Sequence, residues 1–318
     1  MKTFFYFTIL IFLSLKCHGQ ILGCTDPQSK NFNPKATVSD GSCRYKRIKI
    51  KPISSKVLDD KIHETSGLLF WNTKLWTHND DGDTNLYGLD KSSGEILETI
   101  ALKNVVNKDW ESISQDENYI YIGDFGNNVT GSRTDMQILR IEKKSLLEGN
   151  QKIDSINFKY SDQVNFTALE SNKTDFDGEA FIVLKDSIFI FTKQWTSQKT
   201  GVYSLAKNPG NQIAYLKTTF DIRGLITDAT FIEDKNQIVL CGYSKKLKPF
   251  VYVLSNYPND DFFSGTKKRV KLKLPFHQIE GIATDGEKFY LTNEKFARKP
   301  FINTKQKLHE VNLSEFLN

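Results

Sequence analysis

Very little in this sequence offers ready-made catalytic chemistry. Its five histidines, at 18, 63, 78, 277 and 309, are too scattered to define a histidine-based catalytic set. The G-x-S-x-G elbow, the phosphate-cradling P-loop and the zinc-binding H-E-x-x-H pattern are all missing. There is no basic stripe either. Lys and Arg are scattered among Asp and Glu for a formal net charge of only +5, which argues against nucleic-acid binding. Long apolar runs are confined to residues 4–15, and helical periodicity is almost absent.

That single apolar run sets the compartment. Met1-Lys2 supplies a positive start, FFYFTILIFLSL follows, and Gly19 is a small residue suited to cleavage before Gln20. Twelve apolar residues are too few for a bilayer span, so residues 1–19 are expected to be a signal peptide. A membrane anchor is the alternative. Cys17 also raises a lipid anchor, but Lys16 before it fits a lipobox poorly. The expected location is secreted, periplasmic or cell-surface, with no transmembrane segment in the mature chain. The chain ends in SEFLN, so no C-terminal sorting domain is expected.

Of the four cysteines, Cys24 and Cys43 bracket a loop rich in Asn, Asp, Pro and Gly, and export predicts a disulfide between them. Closing such a loop stabilises by roughly 3 kcal/mol in the chain-entropy picture. Cys241 sits in the strand-like run QIVLCGY and reads as a small buried hydrophobe. The GCTDP…DGSC pattern of residues 20–44 resembles a short module of exported Bacteroidota proteins. Asp26, Asn31, Asn33 and Asp40 there offer oxygens either to a calcium ion or to Asx-turns.

From residue 45 to 318 short runs of Ile, Val, Tyr and Phe alternate with Gly, Asn, Asp and Lys. This texture predicts an all-β domain, and an internal repeat selects its architecture. Five first strands recur: HETSGLLF, DWESIS, DGEAFIVL, TDATFIED and IEGIATD. Each is followed by a second and a third strand, and four segments by a fourth. The last segment lacks a fourth strand, and RIKIKPI (47–53) is available to complete it. The expected fold is a five-bladed β-propeller whose N-terminal strand closes the last blade. A six-bladed ring, with another blade hidden around 154–176, and an irregular sandwich are the alternatives.

Aligned on their offset to the second strands, the first strands place Ser66, Glu111, Glu179, Asp228 and Glu280 at equivalent positions. First strands line a propeller's channel, and converging carboxylates repel unless protons or a cation neutralise them. Carboxylates with one hydroxyl suit a hard ion, so Ca²⁺ is the expected cofactor and these five residues its expected ligands. Glu64, Asp109 and Asp177, two residues earlier, fall on the same strand faces. At the ends of the second strands Asp80, Asp124, Lys193 and Glu294 are the catalytic candidates, Asp80 or Glu294 as base toward a metal-activated water. His78, Asn79, Asp81, Asp83, Asn128, Trp195, Tyr243, Lys245, Asn293 and Arg298 are further rim residues.

Two resemblances bear on these positions. The layout is similar to that of the calcium-activated nucleotidases (apyrases), five-bladed propellers with an axial calcium held by Ser and Glu residues. That likeness implies the same role for Ser66, Glu111, Glu179 and Glu280, with Asp228 replacing a serine. Gly82 stands where that family has an arginine, and Lys193-Gln194 where it has a basic pair. The stretch NKDWESIS…YIYIGDFGNN…R resembles a group of exported bacterial propellers related to esterase-like phytases, with Asp109, Glu111, Asp124, Asn127, Asn128 and Arg133 as the signature. The function expected is a secreted calcium-binding module for an extracellular ligand. The alternative is a calcium-dependent hydrolase of phosphorylated or esterified substrates.

Overall fold

The computed structural model describes residues 19–298 and 300–317. The signal segment with Cys17 lies outside the described residues. The fold is mostly β, built from small sheets. No helix among the described residues is long and apolar enough to cross a membrane.

Four-stranded antiparallel meanders follow one another along the chain. The first comprises Thr65–Trp71, Lys74–Asn79, Asn85–Leu89 and Ile96–Ala101. The second comprises Trp110–Gln115, Tyr119–Asp124, Gln137–Glu142 and Ile153–Tyr160. The third comprises Gly178–Leu184, Ser187–Thr192, Thr200–Ala206 and Gly210–Phe220, and its last strand pairs in parallel with Ile153–Tyr160, joining it to the second. The fourth comprises Leu225–Ile232, Gln237–Tyr243, Pro249–Ser255 and Thr266–Leu272. The fifth uses Ile279–Thr284, Phe289–Asn293 and Lys307–Val311.

Local chemistry explains the hairpins. Asn72 and Thr73 both take left-handed backbone (φ 48° and 66°), the tight two-residue turn that matches strand twist. Inner strands are buried on both faces; QIVLCGY of Gln237–Tyr243 is buried throughout. The outer strand TKKRVKL of Thr266–Leu272 alternates, with every second residue buried.

The fifth sheet is completed by Ser54–Val57, antiparallel to Lys307–Val311. This differs from the expectation for residues 47–53. Ile48–Ile50 instead adds in parallel to Thr266–Leu272 at the outer edge of the fourth sheet, where Ile48 and Ile50 pack on the core containing Val270 and Leu272. Ile53 N donating to Glu310 O marks the crossing from one sheet to the next. The piece around 154–176, offered as a hidden blade, supplies only the end of Ile153–Tyr160, the outer strand of the second sheet, and residues 161–177 contain no strand.

The five first strands touch in chain order, and the fifth returns to the first. Each successive pair of sheets encloses its own apolar cluster, such as Phe189, Phe191, Phe250 and Phe262 between the third and fourth. Gly67, at φ +66°, sits where the first strands of the first two sheets meet, and a Cβ there would lie 2.7 Å from Ile113 N.

The N-terminal module is docked on the fourth sheet. Cys24 and Cys43 are bonded. Asp26 accepts from Tyr45 Oη at 2.7 Å and faces the Lys268 ammonium at 3.4 Å, both side chains being buried. Asn33 and Asp40 accept from Lys35 N and Ser42 N, and Asn31 accepts from Arg44 N. These oxygens accept the bonds of the loop's turns and of its closure.

Candidate functional site

The axial side chains are placed by irregularities in the first strands. In the second, third and fifth sheets a β-bulge falls between the pairs flanking Glu111, Glu179 and Glu280, so each glutamate is the extra residue. A bulge re-aims its side chain out of the regular pleat. All three glutamates are buried, and with Ser66 they line a cavity of about 650 Å³ at one end of the ring of first strands.

The fourth sheet departs from this register. Its bulge residue is Thr227, between Ile226↔Gly242 and Asp228↔Cys241. The pair just before the bulge is 16 residues apart there (226 and 242), against 14 in the other three (110/124, 178/192, 279/293). The extra length lies in the turn Glu233–Lys235 with left-handed Asn236. The two added residues put Thr227 ten positions before Gln237, so an offset of eight or nine from the second strand passes it and reaches Asp228. Asp228 does not line the cavity. Its carboxyl accepts from Ser112 Oγ at 2.6 Å, Ile282 N at 2.7 Å and Leu68 N at 3.2 Å, tying three other sheets together. The counterpart of Ser66 is Thr227: its Oγ1 donates to Ile279 O at 2.6 Å, as Ser66 Oγ donates to Glu111 O at 2.6 Å.

Glu111, Asp177 and Glu179 bring carboxylate oxygens within 4.8 Å of one another, all buried. Burial first, then Glu179 and Asp109, push the Glu111 pKa well above the ordinary range. Glu179 rises likewise from burial, with Lys193 opposing. Lys193 Nζ stands 2.9 Å from Glu179 Oε1, while Glu179 Oε2 is buried without a hydrogen-bond partner. Burial alone would lower the lysine pKa, but Glu179 and the surrounding groups hold it well up, so it stays an ammonium. The same ammonium lies 4.7 Å from the Trp195 ring and 5.5 Å from that of Tyr243. Glu64, Asp80 and Asp81 form a second acidic group at the mouth. Burial, Glu64 and Asp81 raise Asp80 to about 7. Glu294 lines the cavity, bonded by Gln278 Nε2, and is pushed up by burial, Glu280 and Asp80.

The loop after Asp124 supports this centre. Asp124 is fully buried and bonded by Arg133 Nη2 at 3.0 Å, Gln137 Nε2 at 3.2 Å and Asp109 N at 3.2 Å. It faces away from the cavity, so among the four catalytic candidates it holds the backbone while Asp80, Lys193 and Glu294 line the chamber. Arg133 Nη1 also donates to Gly126 O, and Asn127 N donates to Asp177 Oδ1 at 2.6 Å. Trp195 Nε1 donates to the other oxygen of Asp177 at 2.7 Å. The signature residues thus set Asp177 beside Glu179. His78, Asn79 and Asn293 are buried in local backbone bonding. Gln278, Leu225 and Phe296 also line the cavity and carried no sequence signal as site residues.

No family model matches the chain, and no curated protein does either. Among solved structures the chain is similar to the computationally designed Ika4 protein, at 11% identity and TM-score 0.31, covering 68% of this chain and 96% of that one. It is also similar to a chain of the mitotic checkpoint complex, at 11% identity and TM-score 0.36, covering 82% of this chain and 94% of that one.

Proposed function

We propose that this chain is an exported five-bladed β-propeller that holds a calcium ion at one end of its axis and binds an extracellular ligand in the cavity above it. The ring contact of five first strands and the five apolar clusters between sheets support the architecture. The Cys24–Cys43 bond suits an oxidising compartment. The observation that carries the calcium reading is the oxygen-only cluster of Glu111, Asp177 and Glu179, where one buried ammonium faces several carboxyls and Glu179 Oε2 has no partner. That donor set fits a hard divalent cation better than zinc. Glu111, Glu179 and Asp177 would hold the ion, with Glu280 and the Ser66 hydroxyl lining the same cavity. Bound there, the ion supplies the positive charge the buried carboxyls otherwise take from protons.

The ligand side rests on the remaining lining groups. Trp195, Tyr243 and Phe296 offer flat apolar faces, and Lys245 and Arg298 offer positive charge to an anionic group. Asp80 favours the hydrolytic reading, because a carboxyl titrating at about 7 can accept a proton at neutral pH. Metal analysis and calorimetry on the purified chain test the main reading. It expects one calcium per chain, a melting temperature lowered by chelator, and loss of both effects in Glu179→Gln. No bound metal and an unchanged melting curve would sink it. Turnover of a nucleoside diphosphate, phytate or an aryl ester that requires calcium and is lost in Glu111→Ala would move the assignment to hydrolase.

A further inference from the structure

We infer that Lys193 is a tethered competitor for the axial ion, a built-in cation whose release from Glu179 sets how strongly the centre binds calcium. This rests on the calcium reading above but adds a role for a residue outside the oxygen donor set.

The argument is geometric. Lys193 follows the last residue of Ser187–Thr192 and its backbone N donates to Asp177 O at 2.8 Å, so the side chain starts beside the acidic cluster. Its ammonium is 2.9 Å from Oε1 of Glu179, one of the three carboxylates of the buried acidic cluster. It is 95% buried, so water contributes little to its charge balance. A divalent ion held by Glu179 and Glu111 would lie close to this like charge, and repulsion in a poorly solvated site is strong. An ion on Glu179 Oε2 would share that carboxylate with the ammonium, and release of the ammonium from Oε1 would relieve the repulsion. Trp195 and Tyr243 already face it at 4.7 and 5.5 Å, and aromatic faces retain a cation that has lost its carboxylate partner. Trp195 is itself fixed by Asp177, so the alternative partner of Lys193 and the cation-binding carboxylates belong to one unit. Methionine at 193 keeps the apolar stem and removes the charge.

Calcium affinity of the full chain, measured by calorimetry at neutral pH for wild type, Lys193→Met and Lys193→Gln, tests this. Both variants should bind calcium about tenfold or more tightly than wild type. Their melting temperature in chelator should fall below that of wild type, because Glu179 loses its counter-charge, so calcium should raise it further. If either variant is unfolded without calcium, circular dichroism during a calcium titration should show folding driven by the ion, which supports the inference equally. Affinity equal to or weaker than wild type in both variants overturns it while leaving the calcium reading intact. Calcium binding by the variants but not by wild type supports the competitor role and defeats the calcium reading for the native chain. No binding by any of the three defeats both.

Discussion

Replacing Asp228 with alanine should cost about 3–6 kcal/mol of unfolding free energy. The carboxyl is wholly buried and accepts from Ser112 Oγ, Ile282 N and Leu68 N, three donors on three different sheets. Alanine strands all three, at about 1–3 kcal/mol for each buried unsatisfied group, less where water can enter. Asparagine tests the mechanism. With its oxygen in the place of Oδ2 it still accepts from Leu68 and Ile282, and its amide nitrogen donates to Ser112 Oγ. Burial pushes Asp228 up to about 8, with the donated bonds pulling it partway back. Between the ordinary aspartate value of 3.8 and about 8 the folded chain therefore keeps a proton that the unfolded chain has lost. The group's contribution to stability is full below that window. It falls as pH rises through the window, by at most about 1.4 kcal/mol per pH unit. Asp228→Asn should thus match wild type on the acid side and become the more stable protein as pH approaches 8. Urea unfolding of the three proteins from about pH 4, at the acid edge of the window, to about pH 8 measures this. At the acid end of that range, an alanine variant within about 1 kcal/mol of wild type, or an asparagine variant as unstable as alanine, refutes the staple role. Because Asp228 is outside the cavity, Asp228→Asn should leave any calcium-induced melting shift intact, unlike Glu179→Gln.

Two further substitutions probe the loop that supports the axial acids. Arg133→Ala leaves buried Asp124 without its cationic partner and should destabilise by about 3–5 kcal/mol in chemical denaturation. Gly126→Ala would put a Cβ 2.5 Å from Glu111 Oε1 and closer still to Asp109. It should abolish or sharply weaken calcium binding in calorimetry, since both carboxyls must move, and a wild-type affinity would count against Glu111 as a ligand.

Much of the site follows from strand periodicity. Glu111, Glu179 and Glu280 recur at a fixed distance from their second strands because those hairpins have equal length, and Asp177 falls on the same face two residues before Glu179. Ser66 fits the same count. The fourth hairpin does not, since the residues added at its turn shift the register without altering the hydrophobic pattern on either arm. Spacing alone therefore points to the adjacent carboxylate, Asp228, while the hydroxyl of Thr227 in TDATF is the feature that matches Ser66. Asp124 and Lys193 show the same gap: each ends or follows a second strand, yet one turns to Arg133 and the other into the acids.

The amino-acid sequence by itself determined the β content, the repeat of strand quartets, the cysteine pair and the meeting of acids from different segments, because these depend on local propensity and on spacing along the chain. Tertiary structure decided which strand completes the fifth sheet, which way each bulge turns its side chain, and that Asp228 ties the ring together while Lys193 enters the acidic centre. Those outcomes depend on backbone partners far away in sequence, and on how much charge one buried volume can hold, and neither is encoded in any single segment.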